Sequence, residues 1–293
     1  MKSPFFCFLI SILILYPCFS IFAETNESED FPEYFPYSTQ VAGSGGGGML
    51  PTGSEYMLNP SLVMLRRSFT VSGAYFFKKS GSVTISDSKT SKVGGGMAYS
   101  GHDGLNSVKM NFAFPLFSFL FGGISYNHYT GNRHDIQKKV NYCQVVDFGI
   151  SASLGGYVLL GFAVSDLLSF TGPYLPAKLN FQAEIPIVRD MLSFNTAFVF
   201  HPEYKKEFGD NRRDFMNFTD AMAGLEFRYK IISISTGLYN SSYNPKFNFA
   251  TTLKTFSMGF FGENVGGIYG GYYFRKGFHS FSINIVWDID LKN

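Results

Sequence analysis

Charge and cysteine are both scarce in this sequence. Charged residues fill 16% of the 293 positions, whereas a soluble domain carries about a quarter. The formal net charge is only +2, so nothing points to nucleic acid or to an acidic partner. Of three cysteines, Cys7 and Cys18 sit in an apolar N-terminal stretch and only Cys143 lies beyond it. Once that stretch is removed no internal disulfide can form, which excludes a disulfide-stapled secreted scaffold. Long apolar runs are also missing. The longest after the N-terminus, Phe112 to Ile124, is too short for a membrane helix and holds Pro115, Gly122 and Gly123, which predicts two strands joined by a tight turn.

Motifs for chemistry are equally sparse. His102, His128, His134, His201 and His279 stand singly, with no HExxH, CxxC or i, i+4 ligand pair, so neither a metal nor any other cofactor is expected. Ser125 and His128 lack an orienting group and an oxyanion hole, and no enzymatic activity is expected. The spacing GxGxxG in Gly43 to Gly48 has no strand before it and no βαβ unit around it, so it reads as a flexible or tightly packed segment. The mixed-sign run Lys205 to Asp214 reads as a solvated loop.

What is abundant is aromatic: 34 Phe and 18 Tyr, with 31 Gly. Phe and Tyr favour strands and suit a surface that meets lipid. Met1 to Ala23 reads as a secretory signal, with Lys2 as its positive start, an apolar run from Phe5 to Phe22 and cleavage expected after Ala23. Residues 24–67 read as a leader and plug segment. Residues 68–293 read as the barrel of an outer-membrane protein.

Period-two alternation carries that last expectation. Leu179, Phe181, Ala183 and Ile185 share one face of a run while Lys178, Asn180, Gln182 and Glu184 share the other; Phe281, Ile283, Ile285 and Trp287 alternate with Ser280, Ser282, Asn284 and Val286. Thirteen such runs can be marked by eye, near 69–78, 92–100, 106–114, 117–129, 143–153, 157–165, 178–185, 191–200, 218–229, 231–240, 247–258, 267–276 and 280–287. Single-chain bacterial barrels have an even strand number, so twelve or fourteen is expected. A soluble β-sandwich would alternate too and would turn its charges to solvent; the secretory signal, the size of the single β region and the Phe-rich apolar faces weigh against it. Lys109, Asp147, Lys178, Glu184, Glu226 and Arg228 all take the parity opposite the apolar set. Facing mid-membrane lipid would cost a Lys or Arg about 2–4 kcal/mol, so a barrel turns these residues inward.

The order of parts resembles that of the FadL-like long-chain fatty acid transporters, and in particular an uncharacterised spirochaete outer-membrane family related to them and to PorV-type barrels. A signal is followed by the small-residue stretch Gly43 to Gly48, then Met49, Gly53 and Asn59-Pro60-Ser61, then a first strand at Phe69. The family carries Asn-Pro-Ala at a comparable place, so Ser61 replaces its Ala. The resemblance implies an all-β, transmembrane antiparallel barrel of fourteen strands. It also implies an N-terminal plug, an apolar cavity for a hydrophobic ligand such as a fatty acid, and a side opening at a kinked strand, for which Gly94-Gly95-Gly96 and Gly122-Gly123 are the candidates here. Met49, Met57, Leu58, Asn59, Pro60, Leu62 and Met64 are the candidate ligand-binding and plug residues, since methionine and leucine offer adaptable apolar surface. Expected partners are outer-membrane lipid and the hydrophobic ligand. The alternative is a structural barrel holding a periplasmic or exported protein partner, as PorV-type barrels do.

Overall fold

In the structure, a computed structural model, the described residues are 58–65, 67–77, 80–102, 105–133, 138–155, 158–171, 177–189, 191–200, 219–240, 252–262, 265–275 and 278–289. The expected signal, the leader, Gly43 to Gly48, Met49, Met57 and Lys205 to Asp214 lie outside them.

Fourteen strands close on themselves: β1 Phe69–Phe76, β2 Ser80–Asp87, β3 Gly94–His102, β4 Leu105–Pro115, β5 Leu120–Arg133, β6 Lys138–Leu154, β7 Val158–Thr171, β8 Lys178–Val188, β9 Leu192–Phe200, β10 Thr219–Tyr229, β11 Ile232–Asn240, β12 Leu253–Gly262, β13 Gly266–Arg275 and β14 Phe278–Asp288. Every strand pairs antiparallel with its sequence neighbours, and β1 closes the ring on β14 from Thr70↔Asp288 to Phe76↔Ser282. Closure leaves no strand edge, which is what lets a sheet sit in hydrocarbon.

Alternation decides which face each side chain takes. Lys178 is 1% exposed while Phe181 is 48% exposed, because one parity of β8 points into the lumen and the other points out. The outer face is a band of large apolar residues, among them Phe112, Phe148, Leu160, Phe198, Phe256 and Phe281, all exposed. That is the surface a lipid-spanning barrel presents. Inside, hydroxyls pair across neighbouring strands: Thr70 with Ser86 at 2.7 Å, Ser72 with Thr84 at 2.6 Å, Ser100 with Ser107 at 2.7 Å and Ser235 with Ser257 at 2.6 Å. Each is a directly opposed pair in the register, so polar side chains inside the barrel satisfy one another.

One expectation needs correction. The strand absent from the runs marked by eye is β2, whose sequence Ser-Gly-Ser-Val-Thr-Ile-Ser-Asp offers only Val83 and Ile85 as apolar residues. The tight turn expected within Phe112 to Ile124 is Leu116–Phe119, closed by the Leu116 N–H donating to the Leu120 carbonyl at 2.9 Å, and Gly122 and Gly123 lie within β5.

The two ends of the barrel differ. The connections at residues 88–93, 116–119, 155–157, 189–191, 230–231 and 263–265 are all short, and they lie at the end where β1 starts and β14 stops. Connections at the other end include the long spans 201–218 and 241–252. Short turns at one end and longer loops at the other are the usual asymmetry of such barrels. We call these the turn end and the loop end.

Candidate functional site

Asn59, Pro60 and Ser61 open a 3-10 turn, Pro60–Met64, that lies on the inner wall. Pro60 occupies its first position, where a missing N–H costs nothing and the fixed φ helps. Asn59 caps it: its Oδ1 accepts from the Ser61 N–H at 3.1 Å and from the Ser61 hydroxyl at 2.8 Å. The other half of the same amide reaches the wall, Nδ2 donating to the carbonyls of Ile150 at 3.3 Å and Phe162 at 3.4 Å. Asn111 on β4 donates to the Pro60 carbonyl at 3.0 Å.

This contact requires glycine in the wall. A Cβ on Gly123 would lie 2.5 Å from the Pro60 carbonyl carbon, and one on Gly149 would lie 2.8 Å from Pro60 Cδ. Gly123 and Gly149 are therefore a docking face and not a turn or a kink. Val63 and Met64 continue the contact, packing with Ala98 and Ala113 and against Phe121.

Leu58, Asn59, Pro60, Leu62 and Met64, five of the seven residues singled out in the sequence, are thus brought together and buried against the wall. Met49 and Met57 lie outside the described residues. Of the wall partners, Asn111 and Gly149 carry no sequence signal of their own and Gly123 stands out only as a turn or kink residue, since all three meet the turn only after closure brings distant strands together.

A break in strand pairing adjoins this patch. Between Val146↔Leu168 and Phe148↔Val164, β6 contributes Asp147 alone while β7 contributes Ser165, Asp166 and Leu167. Asp166 takes φ +58°. β8 begins at Lys178, opposite Ser165, so β7 beyond that point has no β8 partner among the described residues. Leu167, Leu168 and Phe170 are exposed there. The expected kink at Gly94-Gly95-Gly96 is not present, because β3 pairs regularly with β2 and β4 through those residues. Register shifts fall instead between β5 and β6 at Tyr129/Gly131, between β8 and β9 at Pro186/Val188 and, over the longest stretch, between β6 and β7.

Charged groups from several strands meet at the break. Asp147 Oδ2 pairs with Lys109 Nζ at 2.9 Å and accepts from Ser125 at 3.0 Å and Asn127 at 2.6 Å. Its Oδ1 accepts the Asp166 N–H at 2.9 Å, and Asp166 in turn lies 3.7 Å from Lys178 Nζ. A second inward pair, Arg228 with Glu226 at 2.7 Å, receives the Ser233 hydroxyl at 3.0 Å. These are the inward charges expected from parity.

The lumen also holds an apolar cluster. Ala74, Phe76, Ala197, Val199, Met222, Tyr239, Leu253 and Tyr273 pack together, all under 8% exposed. They come from six strands and lie toward the loop end, at or near the loop-side termini of β1, β9, β10, β11, β12 and β13. Phe76 and Tyr273 rings sit 5.7 Å apart. On the outer face, an open groove of about 480 Å³ lies between Leu120, Ile150, Leu160, Phe162, Phe181 and Phe198. It lies behind the strands that Asn59 touches from within. Among the described residues no group of three or more His, Cys, Asp or Glu side chains is placed to hold a metal ion.

No protein-family model matches the chain, and no curated protein matches it either. Solved structures do. The Pseudomonas putida toluene transporter TodX superposes with TM-score 0.59 at 8% identity, over 89% of this chain and 100% of that one. The CymD monoaromatic hydrocarbon channel superposes with TM-score 0.58 at 12% identity, over 89% and 99%. At such identities the likeness is one of fold. The proteins named are channels and transporters, not enzymes, and this chain, a closed fourteen-strand antiparallel barrel, shares their fold.

Proposed function

We propose that this chain is an outer-membrane channel for the passive uptake of hydrophobic small molecules. The observation that carries it is the apolar cluster of Phe76, Val199, Met222, Tyr239, Leu253 and Tyr273 within a lumen otherwise lined by hydroxyls, amides and ion pairs. Porin interiors are polar. Burying aromatic and aliphatic residues at the loop end makes a place where an apolar solute leaves water.

Long-chain fatty acids are the ligand class that the family resemblance implies, and monoaromatic hydrocarbons are what the names of the superposed channels suggest. In this reading the N-terminal segment that ends in Pro60–Met64 plugs the lumen. The β7 break opposite Asp147 is the side opening, and the expected signal at residues 1–23 directs export. Uptake is driven only by the solute gradient.

Uptake of a radiolabelled hydrophobic solute by cells carrying the barrel tests this. Wild-type protein is expected to raise the rate above that of cells without it, and Met222→Glu is expected to abolish the increase by placing a charge in the cluster. Equal uptake with and without the protein would sink the reading.

A further inference from the structure

Three neutral amides border the apolar cluster. In the strand register Gln182 on β8 stands opposite Ala197, and Asn180 stands opposite Val199. Both partners belong to the cluster. Asn195 lies two residues before Ala197 on β9 and shares its inward face. All three are buried at 5% exposure or less.

Their hydrogen-bonding capacity is largely unused within the protein. The oxygen of Asn180 and both amide atoms of Gln182 and of Asn195 have no protein partner. The Ser151 hydroxyl also has none; it points inward one strand beyond Gly161, which separates it from Gln182 in the register. Buried polar groups are nearly always paired, and a run of unpaired ones on one patch of wall needs a reason. Other buried polar atoms without a protein partner, such as the Asn111 oxygen on β4 and the Ser280 hydroxyl on β14, occur singly, whereas Asn180, Gln182 and Asn195 bring five such atoms together on two adjacent strands.

We propose that this patch binds the polar group of a neutral amphiphile, an uncharged chain or ring bearing one hydroxyl, carbonyl or amide, whose apolar body rests on the cluster. The assignment rests on the uptake reading above and names the substrate class. Amides supply donor and acceptor together, which is what an uncharged polar group needs. A carboxylate finds no such fit. Three of the inward cations among the described residues are held by acids, Lys109 by Asp147, Lys178 by Asp166 and Arg228 by Glu226. Glu184, directly opposite Asn195, would repel a second carboxylate. A hydrocarbon with no polar group would leave the amides unpaired, so the patch discriminates against it as well.

The test uses the full-length protein refolded and held in amphipol, with equilibrium dialysis against labelled decanol, decanoate and decane and subtraction of protein-free amphipol. At a pH where the acid is ionised, wild type is expected to bind decanol roughly tenfold or more tighter than decane or decanoate. Gln182→Leu with Asn195→Leu is expected to bring decanol down to the affinity of decane while decane binding stays or rises. Retained decane binding reports that the variant is folded. If the double variant fails to fold, Asn180→Leu is read the same way. Decanoate bound more tightly than decanol, or decanol binding unchanged in the variants, overturns the assignment and leaves the uptake reading standing. Failure of all three probes to bind the wild type overturns both.

Discussion

Asp147 accepts the backbone N–H of Asp166 across a place where β6 and β7 have lost register. One carboxylate thereby fills two needs. Its Oδ1 takes up an amide that the bulge would otherwise orphan, and its Oδ2 balances Lys109.

Replacing Asp147 should therefore be costly. Asp147→Leu leaves Lys109 buried without its anion and the Asp166 amide without its acceptor. The expected loss is about 3–5 kcal/mol, read as a lower urea midpoint for the unfolding of the reconstituted barrel. Adding Lys109→Met should restore a large part of it. A single variant as stable as wild type would show that the cluster contributes nothing to holding the break.

The glycines under the 3-10 turn separate contact from mere proximity. Gly149→Ala sets a methyl against Pro60, an overpacking expected to cost about 1–3 kcal/mol, or else to lift Pro60–Met64 off the wall. If that segment closes the lumen, conductance in planar bilayers rises, and it rises further on deleting residues 43–62. Gly270→Ala, where an added Cβ meets nothing within 4 Å, should change neither quantity. Equal conductance in all of these proteins would mean that the segment does not close the pore.

Register can be read with a thiol. Cys143 is fully buried, so a protein that begins at Glu24, without Cys7 and Cys18, should be silent to thiol reagents in membranes. Phe181→Cys should react with a lipid-soluble maleimide and resist a charged one. Gln182→Cys should resist the lipid-soluble reagent. Reversal of that pattern would mean that β8 is slipped by one residue.

Alternation made most of the wall legible before any coordinates. Lys178 to Ile185 and Ser280 to Trp287 read correctly because each inward polar residue alternates with an outward apolar one, and burial follows that parity residue by residue. β2 escaped notice because hydroxyls that pair only with a neighbouring strand look like loop residues in one dimension. Asn59-Pro60-Ser61 was visible as a motif. Its dock was not, because Asn111, Gly123 and Gly149 become neighbours only when β4, β5 and β6 are side by side.

The sequence by itself determined an all-β barrel with a lipid-facing exterior and an inward set of charges, since a period of two and the cost of charge in hydrocarbon are local properties of each strand. Only the tertiary structure decided where the wall breaks and what the lumen can hold. The break depends on Asp147 meeting Lys109, Asn127 and Asp166 from three other strands. The ligand patch depends on setting unpaired amides of β8 and β9 beside apolar side chains drawn from β1 to β13. Such neighbours are fixed by ring closure and register, and neither is a property of any one stretch of chain.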